Sequence, residues 1–180
     1  AEKGLIEYYL EVDKGTDIRL QGGGALNAVP AKAVVDYDEK VEAALQSMNA
    51  KYEHVKDDLV IYGKAVHAMK ADEGVNALIL AANALHQAGK CNEMIDFMVD
   101  VLADPNGQGI YGLLEDEVSG KLMLNVGTVE FTNNKQKVGI DMRFPVTVEK
   151  DHIDVELKTV CEKHGVNVTL FDYLPSIYVE

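Results

Sequence analysis

Short runs of alternating apolar and polar residues, separated by turn-like segments, predict several β-strands along this chain. The segment 32–37 is the richest of them in β-branched residues, which favour a pleated, half-buried strand. Glycines at 22–24 interrupt the second run and are more typical of a bulge or bent strand than of a phosphate-binding loop. The predicted strands cover residues 5–12, 18–21, 32–37, 57–68, 109–114, 121–131, 138–145 and 166–173.

Helical periodicity predicts four helices between these strands. The segment 74–89 has the clearest apolar stripe, and Gly89 suits the position just beyond a helix end. Asp38 is a suitable N-cap for a helix over 38–52, and further helices are predicted over 92–103 and 149–164. We expect the core beneath the helices to contain Val35, Leu45, Leu78, Ile79, Ala82, Ile140, Leu157 and Val160.

The order of strand, helix and strand occurs twice, first over 32–68 and again over 138–173. The two segments share the pattern and not the residues. The pattern indicates an α+β fold, in which helices cover one face of a mainly antiparallel sheet and two such halves are fused in one chain.

The charge of the chain restricts the partners that it can bind. There are 30 acidic and 17 basic residues, for a formal net charge of −13. Nucleic acids and anionic membranes require clustered Lys and Arg, so we expect neither as a partner. The longest apolar runs are far shorter than the roughly 20 residues that span a bilayer. Residues 1–4 lack the basic and apolar stretch of a signal peptide, and we therefore expect a cytoplasmic protein.

The residues capable of chemistry do not form a known catalytic or metal-binding motif. No two of the five histidines have the spacing of a helical metal pair, and the acidic residues are scattered as on a solvated face. We expect His54 in a charged loop and the histidines at 86, 152 and 164 on helix surfaces. Cys91 and Cys161 are more typical of buried small apolar residues than of a disulfide.

Three segments, in this order, resemble a known family. The first is GGGALNAVP at 22–30. The second is GKAVHA at 63–68, followed by EGVNA at 73–77. The third is NVGTV at 125–129, followed by GIDMRFPV at 139–146. Together they are similar to the lid, or satellite, domain of the dinuclear zinc peptidases that include carnosinases, aminoacylases and desuccinylases. The resemblance is greatest to PepV-type Xaa-His dipeptidases and implies a ferredoxin-like lid built from two α+β halves.

The resemblance also implies a division of labour between two domains. In this family a catalytic domain binds two zinc ions, and the lid closes over a small peptide substrate. No position in this chain matches a zinc ligand, so residues 1–180 would be the lid alone, inactive and without metal when isolated. By resemblance, His67 would donate a hydrogen bond to the oxyanion of the tetrahedral intermediate. Asn27 and Arg143 would bind the substrate, with Arg143 at the terminal carboxylate.

Other interpretations of these residues remain open. His67 is also consistent with a strand-end histidine bound to backbone, Arg143 with a surface ion pair to Asp141, and Asn27 with a turn. Relatives often have Ser and Pro where this chain has Met69 and Ala71, which leaves the shape of the substrate pocket open. A stand-alone binding or dimerisation module, or the lid of an N-acyl-amino-acid hydrolase, are the alternative functions.

Overall fold

The computed structural model describes residues 1–179, which form two four-stranded antiparallel sheets, a small two-stranded sheet and several helices. The strands are β1 Gly4–Val12, β2 Leu20–Gly22, β3 Lys32–Asp36, β4 Lys51–Val55, β5 Asp58–Tyr62, β6 Glu115–Asp116, β7 Gly120–Lys121, β8 Met123–Phe131, β9 Gln136–Phe144 and β10 Asn167–Leu174. The α-helices are α1 Glu39–Ser47, α2 Ala77–Gln87, α3 Glu93–Phe97, α4 Gln108–Tyr111 and α5 Lys150–Lys163. A 3₁₀ segment covers Ala68–Glu73, and a π-helical segment covers Met98–Leu102.

Both large sheets have a ferredoxin-like arrangement of strands. The first has the order β10-β1-β9-β8, which is 4-1-3-2 when its strands are numbered along the chain. The second has the order β2-β3-β5-β4, with α1 between β3 and β4. If β3, β4 and β5 are numbered 1 to 3 and β2 is numbered 4, the spatial order is again 4-1-3-2. The difference is that β2 precedes the other three strands in the chain instead of following them. The α+β class with mainly antiparallel sheets is therefore confirmed.

Side-chain caps define where the helices begin. The carboxylate of Asp38 accepts hydrogen bonds from the backbone N–H groups of Lys40 and Val41, at 2.8 and 3.0 Å. The amide oxygen of Asn76 does the same for Leu78 and Ile79, at 2.9 and 3.2 Å. Caps of this kind satisfy N–H groups that have no partner within the helix.

The apolar face of α2 lies between the two large sheets. Helix α2 contacts β2, β3 and β5 of one sheet and β8 of the other. The predicted core is confirmed, because all of its members are fully buried except Ile79 and Val160, which are partly buried against it. Within residues 1–179, none of the helices is long and apolar enough to cross a bilayer.

Three predicted elements have the wrong extent or type. The helix predicted over 38–52 ends at Ser47, because Asn49 adopts the left-handed conformation (φ 53°), and Lys51–Val55 is the strand β4. The strand predicted over 57–68 ends at Tyr62, where the chain turns away. The segment predicted as a strand over 109–114 instead contains the helical turn α4, whose Gln108 N–H is bound by the carboxylate of Asp104 at 3.1 Å.

Two side chains also differ from their predicted surroundings. His54 lies on β4, and not in a loop, and its ring stacks on Tyr37 at a centroid distance of 4.0 Å. Cys161 is buried as expected, whereas Cys91 is exposed, and both thiols are free.

Candidate functional site

Arg143 and Asp141 lie two residues apart on β9, so their side chains share one face of the first sheet. Arg143 Nε donates to Asp141 Oδ1 at 2.7 Å, and Nη2 donates to Oδ2 at 3.1 Å. The Arg143 side chain is 12% exposed and that of Asp141 is fully buried. The ion pair considered from sequence therefore forms, but it is buried rather than on the surface. The N–H groups of Nη1 remain available to a ligand, because a guanidinium has five in all.

Glu7 adds a second carboxyl group to this pair. It lies on β1 directly opposite Asp141 and is 8% exposed. Burial raises the pKa of Glu7 to about 8, as do its hydrogen bond with Asp141 and the charges of Asp141 and Asp172, while Arg143 opposes the shift. At neutral pH the Glu7 carboxyl is therefore protonated and donates to Asp141. The three side chains together then carry no net charge.

Asn27 faces the same region from the loop that follows β2. Asn27 and Arg143 line one cleft of about 340 Å³, together with Glu7, Thr128 and Phe171. Asn27 itself is exposed. Two of the three residues singled out from sequence thus share a cleft that is wide enough to admit a small ligand.

Two asparagines, the buried Asn125 and the partly buried Asn76, hold the Asn27 loop against the first sheet. Asn125 on β8 is 1% exposed, and its Nδ2 donates to the carbonyls of Leu26 and Ala28, at 2.9 Å each. Asn76 Nδ2 donates to Asn125 Oδ1 at 3.3 Å and to the carbonyl of Val126 at 2.9 Å. Because these bonds engage the carbonyls on both sides of Asn27, the network sets the position of this residue above the cleft.

His67 is held beside Asn27 by backbone hydrogen bonds. His67 forms an antiparallel bridge with Ala28, and the Ala68 N–H donates to the Asn27 carbonyl at 2.9 Å. The His67 side chain is exposed, and its Nδ1 accepts from the Met69 N–H at 3.0 Å. An accepting Nδ1 carries no proton, so the neutral ring has its proton on Nε2, which is free to act as a donor.

A second cleft adjoins Arg143 on its other side. It has a volume of about 440 Å³ and is lined by Lys3, Met69, Ser119 and Arg143. Met69, one of the positions at which this chain departs from the family pattern, is therefore part of a surface that Arg143 also borders. The departure therefore changes the lining of this cleft.

Part of this arrangement was missed from sequence. Glu7 and Asp141 were included among scattered, solvated acidic residues, whereas both are buried. The two-residue spacing of Asp141 and Arg143 indicates a shared strand face, but no local signal places Glu7 opposite Asp141. Asn125 lies within one of the segments that carry the family resemblance, and its part in holding the loop had no separate signal.

Comparisons with known proteins relate the chain to peptidases. "Putative dipeptidase YtjP" of Bacillus subtilis is 32% identical over 176 residues, which cover 83% of this chain and 38% of the relative. A "Putative dipeptidase" of Staphylococcus epidermidis is 27% identical over 209 residues, with 99% of this chain and 44% of the relative covered. The chain is thus a domain related in sequence to proteins named dipeptidases, and it spans less than half of their length.

The similarity of the chain to a solved structure is weak. The aminoacylhistidine dipeptidase of Vibrio alginolyticus matches 96% of this chain and 44% of its own, with 13% identity and a TM-score of 0.35. A TM-score this low does not establish a shared fold. No protein-family model matches the chain.

Proposed function

We propose that this chain is the lid domain of a zinc-dependent dipeptidase of the cytoplasm, in which it closes over a small peptide bound to the catalytic domain. The observation that carries the proposal is that Asn27 lies next to both of the other residues singled out from sequence. Asn27 shares a cleft with Arg143 and a backbone hydrogen bond with the segment of His67. The similarity to proteins named dipeptidases supports the same assignment.

The zinc ions of the proposed enzyme would belong to its catalytic domain. In the described residues the one cluster of His, Cys, Asp or Glu ligands has three members, too few for a two-metal centre. The residues of this chain therefore do not fit that centre. Their proposed contribution is to bind and orient the peptide and to stabilise charge on its carbonyl oxygen.

His67 has the hydrogen-bonding state that the proposed role requires. As the peptide carbonyl is attacked, negative charge develops on its oxygen, and a positioned N–H donor stabilises that charge most in the transition state. Because the Met69 N–H occupies Nδ1, the exposed Nε2–H is the donor that His67 offers. This contact also fixes the orientation of the ring, so less freedom is lost when the lid closes.

Arg143 would bind the terminal carboxylate of the peptide through its second edge. Asp141 already occupies Nε and one N–H of Nη2, which leaves the edge formed by Nη1 and Nη2. Since Glu7 is protonated at neutral pH, Asp141 is the carboxylate that is hydrogen bonded to this arginine. The side-chain amide of Asn27, across the same cleft, would hydrogen bond to the peptide backbone.

The proposal is tested by kinetics of the intact protein that contains this chain. With a dipeptide as substrate, His67→Ala is expected to lower kcat by at least about tenfold with a smaller change in KM, because the contact forms in the transition state. Arg143→Ala is expected mainly to raise KM, and Arg143→Lys to recover only part of the loss. His152→Ala, an exposed histidine on α5, is the matched control.

The same assay separates the alternatives. Unchanged turnover of dipeptides by His67→Ala would overturn the proposed role of His67. Hydrolysis of N-acylated amino acids without hydrolysis of dipeptides would instead identify an acyl-amino-acid hydrolase. Absence of both activities in the metal-loaded intact protein would leave a binding or dimerisation module as the function.

A further inference from the structure

Three side chains of metal-ligand type meet at the surface where α2 is followed by α3. They are His86 in the last turn of α2, Cys91 in the linker and Asp96 in α3. His86 Nδ1 lies 3.1 Å from Asp96 Oδ1 and 3.6 Å from Cys91 Sγ. All three ligand atoms lie within 4.8 Å of one another. The cluster shares no residue with the clefts beside Arg143.

Two of the three separations are close to the edges of a zinc coordination tetrahedron. With Zn–N and Zn–O near 2.0 Å and Zn–S near 2.3 Å, a tetrahedral site has edges of about 3.3 Å between N and O and about 3.5 Å between S and N. The observed values for His86 are 3.1 Å to Asp96 and 3.6 Å to Cys91. The third separation, between Cys91 Sγ and an Asp96 oxygen, is at most 4.8 Å, so a side-chain adjustment would close the three groups around one ion.

The backbone around the cluster is well defined by hydrogen bonds. Gly89 adopts the left-handed conformation at φ 77° and donates to the His86 carbonyl at 3.1 Å, while the Lys90 N–H donates to the Leu85 carbonyl at 2.8 Å. This is the Schellman arrangement that terminates many helices. The side chain of Asn92 then accepts from the Ile95 N–H at 2.7 Å and caps α3. The two turns return Cys91 to the side of His86.

A surface ion pair explains only part of this geometry. His86 and Asp96 are 42% and 49% exposed, and an exposed pair of this kind contributes little to stability. The ion pair does not include the thiol of Cys91, which lies 3.6 Å from the same imidazole nitrogen and 3.8 Å from the His86 carbonyl oxygen.

We propose that His86, Cys91 and Asp96 form a mononuclear Zn²⁺ site, with solvent in the fourth position. The mixture of imidazole, thiolate and carboxylate favours zinc over Mg²⁺ or Ca²⁺, which prefer oxygen ligands alone. The ion would join the end of α2 to α3. The proposed zinc site departs from the expectation of a metal-free chain, which rested on the spacing of residues in the sequence. The proposal of this site is independent of the proposed dipeptidase function.

The site is tested by zinc binding to the purified, reduced and chelator-treated chain. Titration with ZnCl₂ is expected to give one tightly bound ion per chain, and Cd²⁺ to give the ultraviolet absorption of a thiolate–metal bond. Cys91→Ser should weaken zinc binding at least tenfold and remove the Cd²⁺ absorption, and His86→Ala and Asp96→Asn should weaken binding as well. Bound zinc should also protect Cys91 from alkylation.

Asp100→Asn, an exposed acidic residue one turn beyond Asp96, is the matched control and should bind zinc as the wild type does. Circular dichroism establishes that each variant is folded. Zinc binding unchanged by Cys91→Ser would show adventitious surface binding and overturn the proposal. A folded wild-type chain that binds no zinc at micromolar concentration would overturn it equally.

Discussion

Asp141 holds the guanidinium of Arg143 by two hydrogen bonds, of 2.7 and 3.1 Å, on the face of the first sheet that lines the cleft with Asn27. The arginine is thus oriented before any ligand arrives, and little side-chain freedom remains to be lost on binding. The arrangement also makes the stability of the domain depend on the residues proposed to bind substrate. The four predictions that follow concern this pair and the loop above it.

The first prediction concerns the charge of Asp141. Asp141→Asn removes the carboxylate and leaves the mostly buried Arg143 cation without its partner. Breaking a buried ion pair in this way destabilises the folded state by about 3–5 kcal/mol. We expect a loss of this order in the free energy of unfolding, measured by urea denaturation at neutral pH. Asp151→Asn, on the exposed side of α5, should change it by less than about 0.5 kcal/mol. Equal effects of the two variants would contradict the prediction.

The second prediction concerns Glu7 and pH. Because the pKa of Glu7 is about 8 in the folded chain and near 4.5 when unperturbed, the unfolded state releases its proton first as pH rises. Glu7 therefore lowers the free energy of unfolding progressively between about pH 4.5 and pH 8. Glu7→Gln keeps a neutral donor to Asp141 and should remove this decline. The variant should equal the wild type at pH 4 and exceed it at pH 8 by on the order of 1 kcal/mol or more.

Chemical denaturation across this pH range measures the effect of Glu7. Glu11→Gln is a suitable control, since Glu11 lies on the same strand and pairs with Lys135 at 3.5 Å. That variant should keep the decline of the wild type. A Glu7→Gln variant with the same pH dependence as the wild type would mean that the Glu7 carboxyl is ionised in the folded chain.

The third prediction concerns the buried amide of Asn125. Asn125→Leu has a similar volume but removes the donors to the carbonyls of Leu26 and Ala28. Leaving a buried acceptor without its partner destabilises the folded state by about 1–3 kcal/mol. The thermal midpoint and the free energy of unfolding should therefore both fall. Asn83→Leu, at a half-exposed position on α2, should have the smaller effect. The opposite ranking would show that the Asn27 loop is held by other contacts.

The fourth prediction concerns the close approach of the Asn27 loop to β8. A Cβ at Gly127 would lie 2.5 Å from the Ala25 carbonyl oxygen and 2.7 Å from Leu26 Cα, so Gly127→Ala must displace the loop. We expect a destabilisation of about 1–3 kcal/mol in urea denaturation. At Gly24, in the same loop, a Cβ would meet no atom within 4 Å, and Gly24→Ala should be tolerated. Equal tolerance at both positions would contradict this account of the loop.

Local features of the structure followed from the sequence with good accuracy. Helix α2 was expected because its apolar residues recur at helical spacing and Gly89 follows them, and it lies within the predicted segment. Strand β3 was expected from its β-branched residues. In both cases the determining interactions join residues that are near one another in the chain. The catalytic role of His67 and the substrate-binding roles of Asn27 and Arg143 came from family resemblance and remain predictions.

Features that depend on strand pairing or on the meeting of distant segments were decided by the tertiary structure alone. The ends of α1 and β5 were misplaced because a left-handed Asn49 and the bridge of Lys64 to Val75 override the local periodicity. Glu7 is an ordinary strand residue until β1 pairs with β9 and places it opposite Asp141, where burial keeps it protonated. The sequence determined which segments form strands and helices, since those choices rest on neighbouring residues. Only the folded chain decided which carboxyl groups lose water and which meet a cation, because burial and register arise between segments that are far apart in the chain.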